Sequence, residues 1–135
     1  MNASICKQYS IFLENRVGTL AEVCRLIADK KINLHAICAI DTIEESILRI
    51  VPEQGDETLS ILKGAGFRVI ESEIILVELQ NRPGATGDMA TMLSNAGINI
   101  SYVYASAHTQ CDTSTLILKV TMADEALKVL QEEGS

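Results

Sequence analysis

Leu13-Glu14-Asn15-Arg16-Val17-Gly18-Thr19-Leu20 returns 66 residues later as Leu79-Gln80-Asn81-Arg82-Pro83-Gly84-Ala85-Thr86. Extended outward, the same offset aligns Leu13–Ile40 with Leu79–Ser106 without a gap, and seven of the 28 positions are identical: Leu13/Leu79, Asn15/Asn81, Arg16/Arg82, Gly18/Gly84, Ile32/Ile98, Asn33/Asn99 and Ala39/Ala105. The match resumes at an offset of 68, where Leu59 meets Leu127 and Leu62 meets Leu130, so the second copy carries a two-residue insertion. A fixed period of this length marks a tandem repeat of one supersecondary unit. The boundary falls near Ser72, giving units of 1–72 and 73–135, and no Gly- or Ser-rich linker separates them.

Within each copy the hydrophobic period alternates. Tyr9–Leu13 and Ile74–Gln80 are short β-rich runs, each halted by Asn-Arg and then glycine. Helical spacing follows, with Leu20, Val23, Cys24 and Ile27 in one stripe and Met89, Met92, Leu93 and Ala96 in the other. Ile32–Ile40 and Ser46–Val51 then read as strands, as do Ile98–Ser106 and Thr113–Val120, and short helices close each copy at Asp56–Lys63 and Asp124–Glu132. A further strand, Phe67–Glu71, has a counterpart only in the first copy. The order βαββαβ then βαββα predicts an α+β chain of two ferredoxin-like units, antiparallel sheets with helices on one face. The second unit, lacking an obvious last strand, is expected to leave a sheet edge open. Apolar residues of both parities along the strands (Ile11, Ala36, Val77 and Tyr102; Phe12, Ile37, Leu76 and Val103) predict a second apolar face and, with the open edge, a homodimer formed by the sheet faces or by edge pairing.

Composition narrows the functions. The 135 residues carry 11 Lys plus Arg against 18 Asp plus Glu, and a net charge of −7 disfavours nucleic acid and anionic membrane as partners. The longest strictly apolar run, Ala36–Ile40, is far short of the ~18 residues of a membrane span. Cys6, Cys24, Cys38 and Cys111 have neither C-x-x-C nor framework spacing, which suits reduced thiols of a cytoplasmic protein.

The Asn-Arg-X-Gly segments fall where the first strand of each copy hands over to a helix. Glycine permits positive φ and a close approach of backbone to ligand, and the helix start offers unpaired N–H groups and a positive dipole end, which together suit a small carboxylate. The same residues also read as a plain type II turn with Pro83 second and Gly84 third. Asn33 and Asn99, each 18 residues after the first asparagine, open the second strand of their copies. Asparagine tolerates the geometry after a helix, yet two at matched positions suit paired polar groups reading an ammonium or carboxylate.

Phe12–Leu20 with Ile32-Asn33-Leu34, and Asn81–Gly84 with Ile98-Asn99-Ile100, resemble the ACT domain, twice, over nearly the whole chain. The resemblance implies a regulatory module that binds a free amino acid between two units. Carried over, Asn15 would act with Asn99, and Asn81 with Asn33; Val17, Gly18, Pro83 and Gly84 of the turns and Leu34 and Ile100 of the strand starts would line the sites. Serine-sensing members have a histidine two residues before the first asparagine, where this chain has Leu13 and Leu79. Leucine there is closer to the valine-sensing regulatory subunits of acetohydroxyacid synthase, which implies an aliphatic ligand.

Other constellations carry less. His35-x-x-Cys38 and His108-x-x-Cys111 suggest a zinc site, but residues three apart on a regular strand point to opposite faces, so no metal is expected. No nucleophile with base, no phosphate-binding loop and no dinucleotide fingerprint is visible, so neither catalytic residues nor a cofactor is expected. The sequence therefore reads as a non-enzymatic amino-acid sensor, in which a metabolic enzyme is a possible partner; the alternative is a protein-interaction or regulatory-subunit module with a vestigial ligand site.

Overall fold

The computed structural model describes residues 1–41, 45–53, 55–106 and 110–133. In chain order the elements are β1 (Asn2–Glu14), α1 (Thr19–Asp29), β2 (Leu34–Asp41), β3 (Glu45–Pro52), α2 (Gly55–Gly64), β4 (Arg68–Gln80), α3 (Ala85–Asn95), β5 (Ile100–Ser106), β6 (Thr113–Val120) and α4 (Ala123–Glu133). The chain forms two compact units, Lys7–Ser72 and Met1–Cys6 with Glu73–Ser135. Two strands are longer than expected and change unit along their length: β1 between Cys6 and Lys7, and β4 between Ser72 and Glu73.

In Lys7–Ser72 the strands are ordered β2-β3-β1-β4, with β1 and β2 each antiparallel to β3. Alternate residues of β1 (Tyr9, Ile11, Leu13) and β3 (Leu48, Ile50) meet Val23 and Ile27 of α1 and Leu62 of α2 in one buried cluster. The unit of Met1–Cys6 and Glu73–Ser135 repeats this position for position. Its order is β5-β6-β4-β1, and its cluster holds Ile75, Val77, Leu79, Leu116, Leu118, Met89, Leu93 and Leu130. Each unit is thus an α+β ferredoxin-like layer of helices on one sheet face. Leu20, expected in the α1 core stripe, is instead exposed, and Val23 and Ile27 carry the packing.

The edge expected to stay open in the second copy is closed by the start of the chain. β1 lies beside β4, Ala3 is buried in the second unit's cluster with Met1 and Ile5 packed against it, and Asn2 Nδ2 donates to Glu78 Oε2 at 3.2 Å. The Gln131 side chain of α4 donates to the Ala3 carbonyl at 3.2 Å. Small and polar residues such as Ala3, Ser4 and Lys7 give this stretch a weak strand signal; pairing with β4 makes it a strand.

The expected face assignment of Ile37 and Val103 is also corrected. A bulge in β2 between Leu34 and Ala36, and another in β5 between Ile100 and Tyr102, each insert one residue and reverse the side-chain sense beyond it. Ile37 pairs with Ile50, and Val103 with Leu118, so both share the helix-covered face. They remain 46% exposed, because β2 and β5 are outermost strands. Phe12 and Leu76 do face the other side, opposite Ile47 and Ile117. That side is less open than expected, since Val51, Ile74 and Ile117 are buried in the single chain.

Candidate functional site

The Asn-Arg-X-Gly segments form the same turn in both units. Gly18 (φ 92, ψ −8) and Gly84 (φ 88, ψ −10) have the left-handed geometry of the third residue of a type II turn. In the second unit the Ala85 N–H closes the turn on the Arg82 carbonyl at 3.3 Å. In the first, the Thr19 hydroxyl lies 2.9 Å from the Arg16 carbonyl oxygen and 3.1 Å from that of Glu14. Both glycines then accept the first helical bond, from Glu22 N and Asp88 N at 2.9 Å. No side chain caps either helix start, so the earlier N–H groups of α1 and α3 have no side-chain acceptor. An ion pair brackets each turn: Arg16 with Glu22 at 3.3 Å, and Arg82 with Asp88 at 2.9 Å. Val17 stands at the turn tip, 99% exposed, where the second unit has Pro83, also exposed.

The asparagines hold opposite ends of their units. Asn15 Nδ2 donates to Asp41 Oδ1 at 3.5 Å, beside the end of β2, while the Asn33 carbonyl and side chain bond to Glu53 at 2.9 and 3.4 Å, beside its start. The eight residues of β2 lie between them, about 25 Å of strand. Asn15 and Asn33 therefore do not meet within their unit. The second unit repeats this: Asn81 Nδ2 donates to the Cys111 carbonyl at 2.9 Å, and the Asn99 carbonyl accepts from Thr121 N at 3.2 Å. Leu34 and Ile100, half-buried beside these later asparagines, pack on their unit's core. Among the ten residues expected to bind ligand, each unit thus gathers its turn residues at one end and its strand-opening pair at the other.

Matched cavities lie beside the two turns, each inside one unit. The first, about 340 Å³, has Phe12, Leu13 and Phe67 as apolar wall, Arg16 and Arg68 as cations, and Glu14 and Glu45 as anions; Thr19 and Gly66 complete it. The second, about 270 Å³, is bounded by Met1, Glu78, Leu79, Gln80, Arg82 and Ala85. Shifted by 66, Leu13, Arg16 and Thr19 become Leu79, Arg82 and Ala85, so the cavities are repeat counterparts. Glu45, Phe67, Arg68 and Met1 were not legible as lining residues from sequence. Strand pairing brings them to the turn, and only Gly66-Phe67-Arg68 leaves a trace, as a helix stop followed by a strand start.

His35, exposed, is the extra residue of the β2 bulge, and Cys38, half-buried, lies beyond it opposite Arg49. His108 lies outside the described residues, and among those described no group of three or more potential ligands could hold a metal ion. Among them, too, no helix is long and apolar enough to cross a membrane.

Residues 4–134 match the family model of the ACT domain pair. The chain belongs to that family, a pair of regulatory modules. Among solved structures, protein BT0572 from Bacteroides thetaiotaomicron is 32% identical, with a TM-score of 0.90 over 99% of this chain and 92% of that one. The ligand-free regulatory subunit of aspartate kinase from Thermus thermophilus shares the fold at 16% identity, with a TM-score of 0.72 over 98% and 96% of the two chains. The Thermus flavus counterpart is 17% identical, with a TM-score of 0.64 over 100% and 98%. No curated protein matches the sequence.

Proposed function

We propose that this ACT domain pair is a non-enzymatic sensor of a free amino acid with an aliphatic side chain. The observation that carries the reading is the duplicated Asn-Arg-X-Gly turn at an uncapped helix start, matched by an asparagine opening the second strand of each copy. Uncapped N–H groups suit the α-carboxylate, and asparagine amide and carbonyl groups suit carboxylate and ammonium. As the resemblance to the ACT domain implies, Asn15 acts with Asn99, and Asn81 with Asn33. Leu13 and Leu79, apolar where serine sensors carry histidine, set the preference for Val, Leu, Ile or Met over Ser or Asp. Likeness to regulatory subunits of aspartate kinase supports a separate regulatory subunit acting on a metabolic enzyme.

Calorimetry with the twenty amino acids tests this. Asn15→Ala and Asn99→Ala should each weaken the same binding event by about 1–3 kcal/mol, and their effects should be non-additive. Full additivity, or tighter binding of serine than of valine, would count against the reading. A cytoplasmic location and a homodimer belong to the same proposal; the outermost strands β2 and β5, with their half-exposed Ile37 and Val103, support the dimer. Light scattering giving a mass near 14.7 kDa would reject the dimer.

A further inference from the structure

The first unit's cavity has features that its repeat counterpart lacks. Arg68 opens β4 and lays its guanidinium over the Phe12 ring, 4.2 Å from the centroid. From there Nη2 meets Oε2 of Glu45, the first residue of β3, at 3.1 Å. Arg16 approaches Glu14 at 3.4 Å on the turn side of the same cavity. By repeat and strand register the counterparts of Phe12, Glu14 and Glu45 are Glu78, Gln80 and Thr113, so neither the ring nor the second ion pair is repeated.

Exposed ion pairs of this kind contribute little to folding, yet they constrain what the cavity admits. Two guanidinium and two carboxylate groups line it in balance, with Glu22 pairing Arg16 from outside the cavity. A lone anion drawn to Arg68 meets Glu14 and Glu45; a lone cation meets Arg16 and Arg68. A zwitterion avoids both conflicts. Its carboxylate and ammonium can lie head-to-tail against the Arg68–Glu45 pair, which need not break, because a guanidinium has five N–H donors and a carboxylate about four lone-pair sites. The Arg68 guanidinium lies over the Phe12 ring face, and Phe12, Leu13 and Phe67 offer an apolar wall. A volume of about 340 Å³ is at the small end of ligand pockets, the scale of one amino acid.

We infer that the cavity of Phe12, Glu45, Phe67 and Arg68 is a second amino-acid site, contained within the first unit, that takes a zwitterion with an apolar or aromatic side chain. Its ligand class rests on the amino-acid-binding reading above; Leu13 borders both sites, but Phe12, Glu45, Phe67 and Arg68 are separate from the asparagines. The second cavity, without the ring and the Arg–Glu pair, does not share this function.

The test is binding of L-leucine and L-phenylalanine to the full chain by titration and by ¹H–¹⁵N NMR. Shifts should concentrate at Gly66, Phe67 and Arg68. Arg68→Gln and Glu45→Gln, both at exposed ion-pair positions, should each weaken this event about tenfold or more while leaving the melting temperature nearly unchanged. Phenethylamine and 3-phenylpropionate, each lacking one charge of the zwitterion, should bind about tenfold or more weaker than L-phenylalanine. Asn99→Ala should leave this event intact. Binding that both cavity variants retain and Asn99→Ala loses would overturn the second site while leaving the asparagine reading standing. No binding of either amino acid at millimolar concentration would overturn both.

Discussion

The two units have nearly identical cores but complete their sheets in opposite ways. Lys7–Ser72 ends with its own fourth strand, the Arg68–Ser72 part of β4, with Phe67 and Val69 packed against the core. The other unit takes its fourth strand from the far end of the chain, where Ala3 is buried and Met1 and Ile5 pack beside it. A duplicated sequence therefore specifies a duplicated core, but closure of the sheet depends on which segments remain free to pair with β4. The same contrast recurs locally. Both α1 and α3 end with 6→1 and 5→2 backbone bonds: Ile32 N to Ile27 O with Lys31 N to Ala28 O, and Ile98 N to Leu93 O with Gly97 N to Ser94 O. The left-handed residue is Gly97 in one unit (φ 75) and Lys31 in the other (φ 60).

Deleting Met1–Cys6 should have the largest effect. It removes Ala3 from the second core and a strand's worth of hydrogen bonds, a loss on the order of 3–5 kcal/mol. Urea unfolding followed by circular dichroism should show a clearly lowered midpoint; an unchanged midpoint would mean the strand only lies against the unit without stabilising it. Next in size is the helix-end exchange. Gly97→Ala should destabilise by about 1 kcal/mol, because a Cβ at positive φ is strained although no neighbouring atom lies within 4 Å of it. Lys31→Gly should stabilise by about 0.5–1 kcal/mol by relieving the same strain, less the added entropy of the unfolded chain. Thermal melts giving both changes the same sign would break the equivalence of the two helix ends. The smallest effect belongs to the turns. Val17→Pro copies the second unit's turn at a fully exposed position and should stabilise by about 0.4–1 kcal/mol, with Pro83→Val losing a similar amount. A destabilised Val17→Pro would show that the two turns differ in backbone despite their matching glycines.

Much of the fold and part of the candidate site were legible in the residues. Periodicity located all four helices and the strands that carry large apolar residues, and Gly18 and Gly84 announced the turns that the structure contains. The faces of β2 and β5 are not legible, because the extra residue at each bulge follows from pairing with β3 and β6, which no single strand encodes. The start of β1 is not legible either, because a strand made of small and polar residues is stabilised by its neighbour, not by its own composition. For the site, the asparagine and glycine pairs stood out through repetition, whereas Glu45, Phe67 and Arg68 did not, since they come together only when β1, β3 and β4 align.

By itself the sequence determined the duplication, the two-layer unit, the turn geometry and the membership in a family of paired regulatory modules. These are local or periodic properties, written in spacings of two, three to four and 66 residues. The tertiary structure alone decided which segment closes the second sheet, which face Ile37 and Val103 present, and which charges gather beside the first turn. Those outcomes depend on backbone hydrogen bonds between segments far apart in the chain, where one inserted residue reverses a face and a strand from the opposite terminus can complete a sheet.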